Sequence, residues 1–305
     1  MNMQTRRSFL KILAQLGASL GSVSFSLASR LTGEPAGVGE PANKKRVLVN
    51  DIHSQLNPTY VREVIHIDNL AWLQETLTTA KRTGQAISIA GGRHSMGGQQ
   101  FGTDTLLLDT RPMRKVLNFD ATRGLVEVEA GIQWPELISY LIEAQKGQTR
   151  QWGIVQKQTG ADRLCLGGAL GSNVHGRGLT LKPIIGDVES FRLVDANGAV
   201  RSCSRSENSE LFRLVIGGYG IFGVIVSITL RLMPRTKLQR VVEIIETGDL
   251  IPALEQHIAD GYLYGDCQFS IDPGSEGFLK KSVFSCYRPV ENSVPIPETQ
   301  KALST

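Results

Sequence analysis

Gly91-Gly92-Arg93-His94-Ser95 is the segment of this sequence best suited to chemistry, and the short apolar run Ala86-Ile87-Ser88-Ile89 leads straight into it. A chain entering two successive glycines can make a bend that a Cβ would obstruct, letting backbone N–H groups converge on one point. A concave run of donors of this kind binds a phosphate, and the Ser95 hydroxyl adds another donor. His94 projects from the middle of the run, which puts an imidazole beside whatever the loop holds. A glycine pair alone reads equally well as a plain loop.

Two more glycine clusters lie downstream. Gly167-Gly168-Ala169-Leu170-Gly171-Ser172-Asn173-Val174-His175-Gly176 offers close backbone approach, with Ser172, Asn173 and His175 as polar contacts. Gly217-Gly218-Tyr219-Gly220 precedes Ile221-Phe222-Gly223-Val224-Ile225-Val226-Ser227-Ile228, a β-branched run that predicts a central strand closed off by Pro234.

The elements that must position these clusters follow from periodicity and punctuation. Leu70, Leu73, Leu77 and Ala80 fall at helical spacing over 69–83, with Asp68 or Asn69 as cap and Gly84 as stop. Strands are expected at 106–109, 116–119 and 125–130, then a helix with Pro135 in its first turn and Gly147 past its end. Val188–Val194 and the Ala196-Asn197-Gly198 turn predict a hairpin, and 207–216 a helix. A new unit begins near 238, reading strand (241–246), helix (250–259), strand (262–270), strand (279–286).

Composition narrows the function classes. The 305 residues are enough for two domains, and 41% hydrophobic with 20% charged content is that of a packed globular protein. A scattered net charge of +4 offers no polyanion site, so nucleic acid is not an expected partner. Cys165, Cys203, Cys267 and Cys286 show no metal-ligand spacing, so no metal is expected, and sequence cannot pair them. Thr5-Arg6-Arg7-Ser8-Phe9-Leu10-Lys11, followed by the apolar stretch Ile12 to Ala28, resembles a twin-arginine export signal with cleavage after Ala28. The alternative is an amphipathic first helix or an uncleaved anchor, but the stretch is too rich in Gly and Ser for a stable transmembrane span. Residues 29–49 read as a linker.

Taken in order, Gly91-Gly92-Arg93-His94-Ser95, Gly167-Gly168-Ala169 with His175-Gly176, and Gly217-Gly218-Tyr219-Gly220 with the strand after it resemble the vanillyl-alcohol oxidase/p-cresol methylhydroxylase (PCMH-type) flavoproteins. The closest flavour is that of the sugar, polyol and aldonolactone oxidases, D-arabinono-1,4-lactone oxidase among them. The resemblance implies an α+β chain: a PCMH-type FAD-binding domain of two α/β subdomains over 50–237, then an incomplete α+β substrate (cap) domain over 238–305. It implies FAD as cofactor, its pyrophosphate on Gly91, Gly92, Arg93 and Ser95, and its 8α-methyl carbon bonded to His94. A weaker alternative leaves His94 only hydrogen-bonded beside a dissociable FAD.

The resemblance further implies Gly168, Ser172, Asn173 and Gly176 near the flavin ring and ribityl chain, and the backbone of Val224 and Ile225 against adenine. His175 either lines the pyrimidine side or braces its loop. Some relatives carry a second link through a cysteine six residues before the second Gly-Gly pair. Ala161 stands there, so that link is not expected, and Cys165 reads as a small buried residue. The implied reaction takes a hydride from a CH–OH group of a sugar-type alcohol to flavin, with oxygen or a respiratory-chain acceptor closing the cycle in the periplasm or outside the cell. No substrate base is assigned, because relatives supply much of that chemistry from a longer C-terminal part. The rivals are a flavin-binding protein without turnover and an NADPH-dependent reductase of the same plan.

Overall fold

The computed structural model describes residues 46–297 apart from residue 159. The export-signal reading, most of the 29–49 linker and the tail from 298 lie outside the described residues.

Three short strands open the described chain. β1 (Val47–Val49) and β2 (Thr59–Val61) pair antiparallel, and β3 (Glu63–His66) leads into α1 (Leu70–Thr83). α1 starts where expected because the Asn69 side chain accepts the Trp72 N–H at 2.8 Å. It stops at Gly84, whose left-handed backbone (φ 65°) lets its N–H return to the Ala80 and Lys81 carbonyls. β4 (Ile87–Ala90) and β5 (Leu106–Asp109) complete a parallel sheet in the order β3-β5-β4. The first glycine loop therefore leaves the C-terminal end of a parallel strand, the end at which open α/β sheets bind ligands.

The second sheet is antiparallel throughout, so the α/β description holds in the strict sense for the first sheet only. Its order is β10 (Val200–Ser204), β9 (Val188–Val194), β11 (Val224–Pro234), β7 (Leu125–Glu129), β6 (Val116–Asp120), with β8 (Trp152–Ile154) on the far end of β11. Short hairpin turns join β6 to β7 and β9 to β10, leaving those pairs no room for the crossover that parallel pairing needs. In one of them Asp195 Oδ1 accepts the N–H groups of Asn197 and Ala199, at 2.9 and 3.0 Å. Three helices cover one face: α2 (Trp134–Ala144), α3 (Leu166–Gly171) and α4 (Ser209–Val215). They bury Trp134, Leu137, Leu166, Leu170 and Phe212 against Phe191 and Ile228. Phe191 and Phe212 stack with ring centroids 5.5 Å apart. A smaller core joins Leu73 and Leu77 of α1 to Leu108, Val194, Val224 and Val226, fastening the parallel sheet to the start of β11.

Both boundaries of β11 differ from the sequence expectation. β11 begins at Val224 rather than 221, because residues 217–223 form a turn. A Cβ on Gly223 (φ 141°) would lie 2.4 Å from the Val194 carbonyl. The strand also runs through Pro234, which pairs with Trp152 at the sheet edge, where a missing N–H is tolerated.

After residue 237 the chain builds a separate sheet in the order β12-β14-β13, from β12 (Leu238–Glu246), β13 (Tyr264–Phe269) and β14 (Lys281–Pro289), with α5 (Leu250–Ala259) between the first two. His257 of α5 meets the buried Phe284 edge-on at 4.9 Å. This sheet is tied to the segment after the second glycine cluster. Gly178 bridges Tyr264, the Leu179 and Gly265 amides donate to Leu263 and Arg177 carbonyls, and Arg177 pairs with Asp266 at 2.9 Å.

Candidate cofactor site

A cleft of about 540 Å³ lies where the end of β4, the helix α3 and the 217–223 turn converge. That volume is in the range of small-molecule and cofactor sites. Gly91, Gly92, Arg93, His94, Ser95, Gly168, Ser172, Asn173, His175 and Ile225 all line it. Two of the proposed contacts do not. Val224 is sealed into the smaller core, and Gly176 faces away, its N–H on Gln156 Oε1 at 3.2 Å and its Cβ direction blocked by the Lys157 carbonyl at 2.8 Å.

The glycines of the first loop are required by contact. A Cβ on Gly91 would sit 2.7 Å from Cys165 Cβ, and one on Gly92 2.4 Å from the Arg163 carbonyl. Cys165 is buried, with its thiol pushed up to about 11 by that burial, so it is inert packing behind the loop. Gly168 and Gly171 of α3 differ. Both line the cleft, and a Cβ on either meets nothing within 4 Å. The helix therefore presents bare backbone to open space. The third cluster holds the second in place, with the Gly217 and Tyr219 amides donating to the Leu170 and Gly171 carbonyls at 3.1 and 2.9 Å.

His94 has a partner that the sequence did not reveal. His53 Nε2 lies 2.7 Å from His94 Nδ1, while His94 Nε2 is buried without a hydrogen-bond partner. Burial first, and then the neighbouring His53, hold the His94 imidazole below its ordinary pKa, so it is neutral at pH 7. His53 sits on a strap, residues 50–57, that crosses the glycine loop. Asp51 accepts the N–H groups of His53 and Ser54 at 2.9 and 2.6 Å and the Ser54 hydroxyl at 2.8 Å. Although burial opposes ionisation, these bonds hold the Asp51 carboxyl at about 2. The strap is tied down by Ile52 N–H on the Arg93 carbonyl (3.0 Å) and by Asn57 and Ser54 on the Met96 carbonyl (2.7 and 3.0 Å). Nothing in the spacing of His53 signalled this, since 41 residues separate it from His94. His175 is exposed at the cleft, its Nδ1 3.1 Å from its neighbour's carbonyl.

A family model described as an FAD binding domain matches residues 62–204. The chain carries a PCMH-type FAD-binding domain. L-gulonolactone oxidase of Bos taurus is 28% identical over 202 residues, covering 66% of this chain and 42% of that protein. L-gulono-1,4-lactone dehydrogenase of Mycobacterium tuberculosis is 26% identical over 231 residues, 76% of this chain and 50% of that protein. Mitochondrial L-galactono-1,4-lactone dehydrogenase 2 of Oryza sativa is 30% identical over 200 residues, 63% and 32% respectively. The chain thus spans half or less of each of these relatives. FAD is the cofactor of the domain, and the cleft fits it on three counts. Gly168 and Gly171 leave space for a ring or sugar against backbone, Arg93 Nε and His94 Nε2 are buried donor or acceptor atoms without partners, and the loop amides end a parallel strand.

Proposed function

We propose that this protein is an FAD-dependent oxidoreductase that takes a hydride from a CH–OH carbon of an aldonolactone, polyol or related sugar-type substrate. The observation that carries the reading is the single cleft that gathers the glycine loop, the bare face of α3 and the neutral His94 inside the FAD-binding domain. The lactone oxidases and dehydrogenases among its relatives supply the substrate class. FAD supplies the hydride acceptor, and the protein supplies binding, orientation and electrostatics. The amides of Gly91 to Ser95 bind the anionic diphosphate. Gly168 and Gly171 admit the flexible middle of the cofactor against α3, with Ser172 and Asn173 as polar contacts. Backbone at Ile225, the one of the two strand positions that lines the cleft, faces adenine. His94, kept neutral by burial, would hold the flavin through its imidazole, a bond to the 8α-carbon costing that methyl a proton and leaving the ring two electrons reduced until the acceptor reoxidises it, and His53 would fix the His94 ring. His175 stands at the open side, toward substrate.

Oxygen or a respiratory-chain acceptor reoxidises the enzyme, and residues 1–28 direct it through the twin-arginine route. Anaerobic mixing with a panel of aldonolactones and polyols tests the reaction. At least one is expected to bleach the visible flavin absorbance within a turnover. A flavin that dithionite reduces and no member of the panel does overturns the reading in favour of a binding protein without turnover.

A further inference from the structure

The imidazole pair of the cleft ends at the protein surface. His94 lines the cleft, His53 is exposed, and their ring centroids stand 4.7 Å apart. Three exposed apolar side chains flank that exit: Ile52 (51%), Leu56 (80%) and Met96 (61%). Their backbones are fixed there. The Ile52 N–H is on the carbonyl of Arg93, next to His94 in the chain, and Ser54 Oγ lies 3.0 Å from the Met96 carbonyl and 3.4 Å from the Leu56 nitrogen. Scattered apolar side chains on a surface need no explanation, but a group held together over the reactive end of a cofactor cleft marks a contact surface.

That surface carries almost no charge. Besides His53, the segments 50–57 and 95–102 hold one ionisable side chain, Asp51, which is 2% exposed and turned onto the strap's own N–H groups. In a chain with 20% charged residues, this region offers apolar carbon and the uncharged amides of Gln55, Asn57 and Gln99. A soluble electron-transfer protein is steered and oriented by complementary charge, and the strap supplies none. An uncharged ring with a hydrocarbon tail removes apolar area from water here without desolvating any charge.

We infer that the strap is the docking surface of the electron acceptor and that this acceptor is a lipid-soluble quinone. The inference rests on the FAD reading of the cleft, in which His94 marks the dimethylbenzene edge of the flavin. A quinone that takes two electrons and two protons from the dihydroflavin leaves as a quinol, and the flavin returns to its oxidised form.

The test uses the full chain in two measurements. Photolabelling with an azido derivative of decylubiquinone is expected to mark the tryptic peptide Val47–Arg62, and decylubiquinone is expected to compete the label away. Dithionite-reduced protein is then mixed anaerobically with decylubiquinone or with ferricyanide. Leu56→Gln is expected to raise the quinone concentration for half-maximal reoxidation severalfold, and Leu56→Glu about tenfold or more. Leu56→Met is expected to behave as wild type, ferricyanide to reoxidise Leu56→Gln at the wild-type rate, and added salt to leave the quinone step unchanged. A label outside Val47–Arg62 and His94–Arg114, or wild-type quinone dependence in Leu56→Glu, overturns the docking surface. Reoxidation by oxygen or a soluble cytochrome with none by decylubiquinone overturns the acceptor class. A chain that takes the label on the strap yet carries no flavin counts against the FAD reading instead.

Discussion

At the scale of the residue, two imidazoles define the site. His94 was legible in the sequence because it follows a glycine pair at the end of an apolar run. His53 was not, because only a carboxylate-built turn in the strap brings it to 2.7 Å. If that contact orients His94 for bonding, His53→Ala lowers the fraction of flavin that survives acid precipitation, while His94→Ala abolishes it. Equal retention in His53→Ala and wild type shows the contact to be incidental. Asp187 permits a second residue-level prediction. Burial raises its carboxyl to about 6, against weaker opposing effects of the Gln156 side chain and Arg231. Between about pH 4 and 6 the unfolded chain ionises this group while the folded chain keeps it protonated, so stability falls as pH rises through that window. Asp187→Asn is therefore expected to remove that slope and to raise stability at pH 7 by about 1–2 kcal/mol, after allowance for partial solvent exposure. Melting curves at pH 4.5 and 7 measure it, and a variant as pH-dependent as wild type contradicts it.

At the scale of the element, α3 joins fold to site. A helix containing Gly167, Gly168 and Gly171 runs against propensity, and the sequence signalled only a glycine cluster. It forms because Leu166 and Leu170, four residues apart, bury completely in the main core. That i, i+4 pair was the available signal, masked by the glycines around it. Gly167 is packed, with a Cβ direction 2.9 Å from Ala130 Cβ, whereas Gly168 faces the cleft. Gly168→Ala is therefore expected to stabilise the apoprotein by up to about 1 kcal/mol through helix propensity while weakening FAD binding. Gly168→Leu is expected to abolish binding with the fold intact by circular dichroism. A Leu variant that binds FAD normally places the cofactor elsewhere. The long amphipathic helix α1 and the strands β5, β6, β7, β9 and β11 were legible, because their periodicity and turn residues agree, whereas β3 of the parallel sheet was not. The three-residue strands β1, β2 and β8 were too short to show a period, and tertiary pairing made them.

At the scale of the whole molecule, the first two sheets meet around one cleft and the third is tied to its rim through residues 177–179 and the Arg177–Asp266 pair. No helix among the described residues is long and apolar enough to cross a membrane. The order of the three glycine clusters was readable from the chain; that strap, loop, helix and turn close on a common space was not, since it depends on long-range packing. The most direct test of that convergence is the flavin content and peptide map of protein made with ample riboflavin. That convergence predicts one flavin per folded chain, with its mass carried by the tryptic peptide from His94 to Arg114, because trypsin does not cut the Arg111–Pro112 bond. A folded, colourless chain contradicts it.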